Sequence, residues 1–263
     1  MAGAPWRTRL AEVVGTVTGV RALGGGAWLV EAGDRTLVAK PGPGATDEAE
    51  GLRRIGAVDG APPVPDVLLA DPGLLVTTAI EQTTRTAAHD VALGRSLAAL
   101  HRAPWAEWGG GSSLIGTCPV DPSPRPDAAA FYAERLAALA ARCGLERPIG
   151  AVVARLPDLL PPGGPSIVHG DLWWGNVLAG ADGRSWLIDP SVHGGHPEED
   201  LAMLALFGSV PERLLRAYRE VNPLADGWAE RVGLFQLYPL LVHTVLFGGG
   251  YRSQAEAVAA RYT

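Results

Sequence analysis

The chain has 263 residues and a formal net charge of −6, with 47% hydrophobic and 19% charged residues, a composition that can bury a full core and lies far from disorder. No Lys/Arg-rich run is present to neutralise a track of phosphates, so nucleic acid is not expected as a partner. Two cysteines, Cys118 and Cys143, are too few for a disulfide scaffold or a four-ligand zinc site and suit a reducing cytosol.

Short strands are expected first. Val13–Val20, Trp28–Glu31 and Thr36–Lys40 are β-branched or alternating, separated by glycine-rich punctuation at Gly24–Gly26 and Gly33–Asp34. After a loop at Pro41–Ala45, Thr46 is placed to cap a helix reaching about Gly56, with Asp47 and Glu48 in its first turn. Val67–Ala70 and Leu74–Thr78 read as two strands around an Asp71-Pro72-Gly73 turn. Beyond Thr86 the pattern turns helical. One helix is predicted from Ala87 to Arg102, with Val91, Leu93, Leu97 and Leu100 buried, and another from Asp127 to Cys143, with Phe131, Leu136 and Leu139 inward. Three strand-like pieces follow, Ile167–His169, Val177–Ala179 and Trp186–Ile188, before helices near Glu198–Phe207, Glu212–Val221, Trp228–Phe247 and Ser253–Arg261.

The most apolar late stretch, Gly233 to Phe247, is interrupted by Gln236, Tyr238, Pro239 and His243 and is not expected to span a bilayer. The opening residues carry no apolar run of signal-peptide length. The expectation is therefore a cytoplasmic α+β protein, a monomer in the favoured case. A small β-rich lobe over residues 1–80 joins, through a hinge near 78–82, a helical lobe over residues 83–263.

The informative segment is His169-Gly170-Asp171-Leu172-Trp173-Trp174-Gly175-Asn176, followed one hairpin later by Ile188-Asp189-Pro190. Phosphoryl transfer asks a protein to hold ATP, neutralise phosphate charge with magnesium and orient the attacking hydroxyl. An Asp on a tight loop can accept the hydroxyl proton, here Asp171. Asn176 and Asp189 can return to the same point and share magnesium, which takes few hard oxygen ligands from protein and the rest from phosphate and water. Each residue alone reads as an ordinary turn residue, and a bare His-Gly-Asp is more often a turn than a site. The full string with strands before and after it reverses those odds.

The first lobe supplies a complement. Lys40 ends the strand Leu37-Val38-Ala39, where a cation can reach the α- and β-phosphates, and Glu48 in the next helix can aim it, with Glu50 as a rival. Gly24, Gly25 and Gly26 can close a hairpin over the phosphates, although such a run is often only a turn. His169 reads as a brace for the loop, and Asp200, opening a helix, as a carboxylate beneath it. His193 and His196 fall in a glycine-rich stretch suited to a mobile loop, where substrate contact and simple loop hydrogen bonding weigh equally.

The strings HGDLWWGNVL and IDPSVHGGHPEEDLAMLALFG resemble the fructosamine kinase (ketosamine 3-kinase) family, within the aminoglycoside phosphotransferase and choline kinase superfamily. EAEGLRRI from Glu48, LGRSLAALHR from Leu93, LIGTCP from Leu114, FYAERLAAL from Phe131 and LYPLLVHTVLFGGGY from Leu237 look like family segments as well. The resemblance covers the chain from Leu37 onward and implies a protein-kinase-like bilobal fold. It implies Asp171 as catalytic base, Asn176 and Asp189 as magnesium ligands, and Lys40 with Glu48 on the phosphates. Adenine would lie against the backbone of Thr78, Ala79 and Ile80, and Asp200 would support the catalytic loop. Trp173, the residue after HGDL, is a candidate substrate contact with His193 and His196. The implied reaction is ATP-dependent phosphorylation of the 3-hydroxyl of ketosamines, whose unstable product releases the amine and repairs glycation. Two departures stand out. Ser113-Leu114 replace the family's usual Asn-Phe before Ile115-Gly116, and Val120 follows Pro119 where a Gln is usual.

Other readings compete. A sister kinase would phosphorylate an aminoglycoside or choline-like hydroxyl. A pseudokinase would bind ATP without transfer, against the presence of every core residue. A metal hydrolase built on His169, Asp171, His193 and His196 lacks compact ligand spacing, and a protein kinase lacks an activation segment between Asp189 and Asp200.

Overall fold

The structure, a computed structural model, describes residues 5–263. It opens on a helix, α1 (Pro5–Val14), where the sequence suggests a strand from Val13. The run Val13–Val20 is broken in space at Gly15, which sits at φ 83° and donates to the Ala11 carbonyl (3.0 Å) as a helix-ending glycine. The strand proper starts two residues later. Leu10 and Val14, one turn apart, are the buried face of α1 and pack on Val30, Leu37, Leu74 and Val76 of the sheet.

That sheet has five antiparallel strands in the order β1-β2-β3-β5-β4: β1 (Val17–Gly24), β2 (Ala27–Ala32), β3 (Arg35–Pro41), β4 (Val67–Asp71) and β5 (Leu74–Thr78). All three glycines at the β1–β2 turn take left-handed backbone, with φ 99°, 56° and 82°, a run that side chains with a Cβ would strain. Helix α2 (Ala45–Gly56) leaves β3 just after Lys40 and buries Ala45, Ala49 and Leu52 against Leu75. Its N-cap is Gly44 in left-handed backbone (φ 87°) with no side-chain cap; Thr46, expected as the cap, lies inside the first turn.

The connector after β5 runs along the β9–β10 hairpin of the second lobe (β9, Val177–Ala179; β10, Ser185–Leu187), where Thr83 N–H donates to Ala179 and Ala181 N–H to Glu81. The rest is mostly helical. Helix α3 (Ala87–Arg102) is followed by a two-rung hairpin, β6 (Leu114–Ile115) with β7 (Cys118–Pro119), then α4 (Ala128–Cys143), α5 (Glu146–Val153) and α6 (Leu156–Leu159). After the His169–Asp189 segment come α7 (Glu198–Leu206), α8 (Glu212–Arg219), α9 (Trp228–Phe247) and α10 (Gly250–Ala259). Helices α4 and α9 share one apolar core; α3, α7 and α8 form a second, centred on Leu97, Leu100, Leu204 and Tyr218. No helix among the described residues is long and apolar enough to cross a membrane.

A further expectation is overturned. The glycine-rich stretch after Asp189 is not a mobile loop but a buried strand, β11 (His193–Gly195), antiparallel to β8 (Ser166–Val168) with His193 opposite Val168. Its glycines serve close packing: a Cβ on Gly194 would stand 2.3 Å from the Glu107 carbonyl oxygen, and one on Gly195 2.2 Å from Glu199 Oε1.

Candidate active site

Strand β8 ends at Val168, and the chain then turns sharply through His169-Gly170-Asp171. Gly170 is required here: its φ is 80°, and a Cβ would lie 2.1 Å from the Ser191 carbonyl oxygen. Beneath the turn Asp200, at the start of α7 and fully buried, accepts His169 N–H (2.7 Å) and His101 Nε2–H (3.0 Å) on Oδ2 and Gly170 N–H (3.0 Å) on Oδ1. Burial pushes the Asp200 carboxyl up, but the His101 hydrogen bond and the donors around it win and hold it below its ordinary value. His169 is wholly buried; its Nε2–H donates to the Ile188 carbonyl (2.9 Å) and its Nδ1 accepts Asp171 N–H (3.3 Å). Burial lowers its pKa despite nearby Asp200, so the ring is a neutral brace between the loop and the strand leading to Asp189.

The loop closes on itself. Asn176 Nδ2–H donates to the Asp171 carbonyl (2.8 Å), and Trp173 N–H meets the same oxygen (3.1 Å). Asn176 N–H donates to Trp173, and Ile188 N–H to Asn176, which sets the residue before Asp189 beside the loop. Asp189 is the one non-glycine residue of positive φ (56°) among those described. Such backbone is unusual outside glycine and tolerated best by Asp and Asn. Its carboxylate is thereby turned toward the small lobe, where Lys40 Nζ lies 2.8 Å from Oδ1 and 2.6 Å from Glu48 Oε2.

Glu50 does not compete for Lys40, because it pairs with Arg54 one turn along the exposed side of α2 (2.7 Å). Burial acts to lower the Lys40 pKa, but Glu48 and Asp189 outweigh it and raise it. Burial, with repulsion from Asp189 adding and Lys40 opposing, lifts Glu48 to about 7. Burial and then the Asp189 charge lift Asp171 to about 7 against its Asn176 contact. Three carboxylates around one ammonium thus leave an excess of negative charge that a cation would relieve.

The donor set fits magnesium. Asn176 spends its amide N–H on Asp171 and so keeps its oxygen, and Asp189 keeps Oδ2 after Lys40 takes Oδ1. Among the described residues no three His, Cys, Asp or Glu side chains gather as an all-protein metal cage would need; magnesium needs only one or two protein oxygens beside phosphate.

Gly24–Gly26 form the β1–β2 turn. Thr78 N–H donates to Asp66 and Ala79 N–H to Thr36, so Thr78–Ile80 offers its carbonyls and the Ile80 N–H. Trp173, 41% exposed, stands edge-on to Phe207 (6.2 Å), which adjoins His243 and Tyr251 in an aromatic patch beside the loop.

His193 and His196 belong to the interior instead. His193 Nδ1–H donates to the Ser191 carbonyl (2.9 Å) and its Nε2 accepts from Arg135 (2.8 Å), while Glu199 accepts from Tyr132 Oη–H (2.5 Å) and His196 N–H (2.9 Å). This buried cluster behind the site was not read from the sequence. Its members come from α4, β11, α7 and the short link between the last two, and no local pattern joins them.

His196 stacks on Phe235 (5.4 Å, 10° between planes), and burial pushes its pKa down to about 4. An unfolded imidazole binds its proton near pH 6.5. Its folded-state contribution is therefore complete above pH 6.5 and is lost as pH falls toward 4, by about 3 kcal/mol in all. His196→Asn retains an acceptor for Glu198 N–H and should show a shallower loss of unfolding free energy between pH 7 and 4.5. Equal slopes in denaturant titrations would remove His196 from that account.

Comparison with known proteins follows the same lines. The sequence profile described as Fructosamine kinase matches residues 45–262. The chain belongs to the fructosamine kinase family. A probable ketoamine kinase of Synechocystis sp. is 37% identical over 179 residues, 62% of this chain and 59% of that protein. The chain's match thus spans about three fifths of that curated relative's length, as it does for one from Thermus thermophilus (62%). A Thermobifida fusca protein of known structure, provisionally named a fructosamine-3-kinase, superposes with a TM-score of 0.89 at 37% identity, covering 97% of both chains. Choline kinase LicA from Streptococcus pneumoniae, also solved with AMP, shares the fold at TM-score 0.66 and 16% identity over 98% and 99% of the two chains. The fold is protein-kinase-like: a five-stranded small lobe on a helical large lobe.

Proposed function

We propose that this fructosamine kinase family member transfers the γ-phosphoryl group of magnesium-ATP to the 3-hydroxyl of ketosamines, giving an unstable 3-phosphate that then falls apart and frees the amine. The observation that carries the reading is Lys40 bridging Glu48 and Asp189 across the two lobes, with Asp171 and Asn176 one short hairpin away. In it Asp171 takes the proton of the attacking hydroxyl as the O3–phosphorus bond forms. The bond from the γ-phosphorus to its bridging oxygen breaks, and ADP leaves with that electron pair. Lys40, held by Glu48, orients the α- and β-phosphates, and the Gly24–Gly26 turn covers them. Adenine lies against the carbonyls of Thr78–Ile80. Asn176 and Asp189 would hold magnesium, which would supply charge neutralisation on the phosphates. Trp173 and Phe207 offer apolar faces to the substrate, and His169 and Asp200 hold the loop from beneath. A monomeric cytoplasmic enzyme acting in deglycation is the accompanying expectation.

Magnesium-dependent ATP consumption, measured on fructose-, ribulose- and erythrulose-derived ketosamines beside choline and an aminoglycoside, tests the reading. Turnover confined to ketosamines, with phosphate on the third carbon, is expected. Turnover on choline or the aminoglycoside alone would move the protein to a sister activity on the same fold.

A further inference from the structure

Helix α2 must hold its place for Lys40 to be aimed, yet its N-terminus carries no side-chain cap. Asp47, in its first turn, is a natural partner for the helix's own amides. It turns away from them. Its Oδ2 accepts both the N–H (3.0 Å) and the Oγ–H (2.6 Å) of Ser113, 66 positions away in the large lobe. Leu114 beside it reaches under the same helix end, where a Cβ on Gly44 would lie 2.9 Å from Leu114 Cδ1.

The segment that carries Ser113 is itself fastened behind Asp189. Ser112 N–H donates to the Val192 carbonyl (2.8 Å), and Ser191 Oγ–H to the Leu114 carbonyl (2.8 Å). Gly111 approaches so closely that a Cβ would stand 1.9 Å from the Val192 carbonyl oxygen; across the same seam one on Gly51 of α2 would lie 3.0 Å from Pro190 Cγ. The contacts close a circuit. Lys40 meets Asp189; Ser191, two residues on, meets Leu114; Ser113 meets Asp47; and Glu48, next to Asp47, returns to Lys40.

We propose that Asp47, Ser113 and Ser191 are positioning residues that strap α2 to the segment bearing Asp189, holding the Lys40–Glu48 pair in register with the large lobe. The proposal rests on the kinase reading and assigns a role to the point where Ser113-Leu114 depart from the family's usual residues. Two donors on one carboxylate oxygen make a charge-assisted pair in a half-buried seam, stronger than a neutral hydrogen bond. No member of the strap needs to touch nucleotide. Its effect passes through the angle of α2.

Ser113→Ala, Asp47→Ala, their double variant and Asp47→Asn would be compared with wild type and Lys40→Ala. The readouts are magnesium-ATP affinity, kcat, KM for ATP, and hydrogen exchange over residues 45–56. Each alanine variant should lose about ten- to a hundredfold in kcat/KM for ATP, and α2 amides should exchange faster. The double variant should lose little more than either single one, because both remove the same contact. Asp47→Asn keeps an oxygen for both Ser113 donors and should recover most of the loss. Wild-type kinetics and wild-type exchange in both alanine variants, beside an inactive Lys40→Ala, would overturn the strap and leave the kinase reading standing. A lowered melting temperature with unchanged KM would reduce the contact to fold stability and overturn it equally. Wild type that binds no magnesium-ATP would overturn the kinase reading, and the strap with it.

Discussion

Asp171→Asn is expected to lower kcat by about 10²- to 10⁴-fold, the range for removing a general base, while leaving magnesium-ATP affinity close to wild type. The two carboxylate partners of Lys40 are Glu48 and Asp189, and neither is altered by this change. Asn matches Asp in size and leaves the backbone contacts of the loop intact, since Asn176 Nδ2–H and Trp173 N–H are accepted by the Asp171 main-chain carbonyl. What it cannot do is take a proton. A second consequence has the opposite sign. Burial and Asp189 lift the Asp171 carboxyl from its ordinary 3.8 to about 7, so its ionisation costs folding free energy that builds as pH rises between those values and is complete above about 7. Removing the charge should therefore leave unfolding free energy at pH 8 no lower than wild type, the trade of stability for activity often seen at functional sites. Isothermal titration with magnesium-ATP, single-turnover transfer and denaturant unfolding would check the three parts. Turnover within tenfold of wild type would remove Asp171 from the base role, and lost nucleotide affinity would make it an anchor.

The residues that converge at the candidate site could be picked out in the sequence because they fall in short stretches. Asp171 and Asn176 share one loop, Asp189 follows a hairpin, and Lys40 and Glu48 straddle one strand-to-helix junction. Glu48 rather than Glu50 meets Lys40 for a helical reason: residues two apart on a helix lie about 200° apart around its axis, so Glu50 faces solvent and Arg54. Helix α3 was legible from its periodic apolar face, and α3 and α9 have the limits expected of them.

What was not legible depends on partners distant in sequence. Val13–Val20 is β-branched, yet Leu10 and Val14 find an apolar surface made by strands not yet formed when that segment is read alone. Glycine-rich His193–Gly195 suggests mobility until Glu107 and Val168 are placed against it, when the missing side chains become the condition for close approach. Asp47 looks like a helix-start carboxylate, and only the fold supplies Ser113. His101 lies within LGRSLAALHR, but its position under Asp200 requires α3 and α7 to be packed.

Asp200→Ala should be the most destabilising single change in the large lobe, lowering unfolding free energy by about 3–5 kcal/mol, as for a buried ionic contact broken from one side. The carboxylate is fully buried and takes three donors: His169 N–H, Gly170 N–H and His101 Nε2–H. Alanine leaves all three without acceptors, and a buried unpaired donor costs about 1–3 kcal/mol. Asparagine is no remedy, because its amide would set N–H against N–H at one of the three. The donors continue outward in one direction, with Asn222 Nδ2–H to Tyr218 Oη (3.1 Å) and Tyr218 Oη–H to His101 Nδ1 (2.8 Å). Tyr218→Phe should therefore cost less than Asp200→Ala, since it cuts this chain one link away from the loop. The low folded pKa adds a pH signature: the stability it brings is complete above the ordinary Asp value near 3.8 and is lost as pH falls below it. Asp200→Ala that does fold should also lose transfer, because the His169–Asp171 turn loses its support, even though Asp200 touches neither nucleotide nor substrate. Denaturant unfolding at pH 7 and kcat on the same preparation separate the two effects. A loss under 1 kcal/mol with normal kcat would show that the turn holds its shape through Asn176 and Ser191 alone.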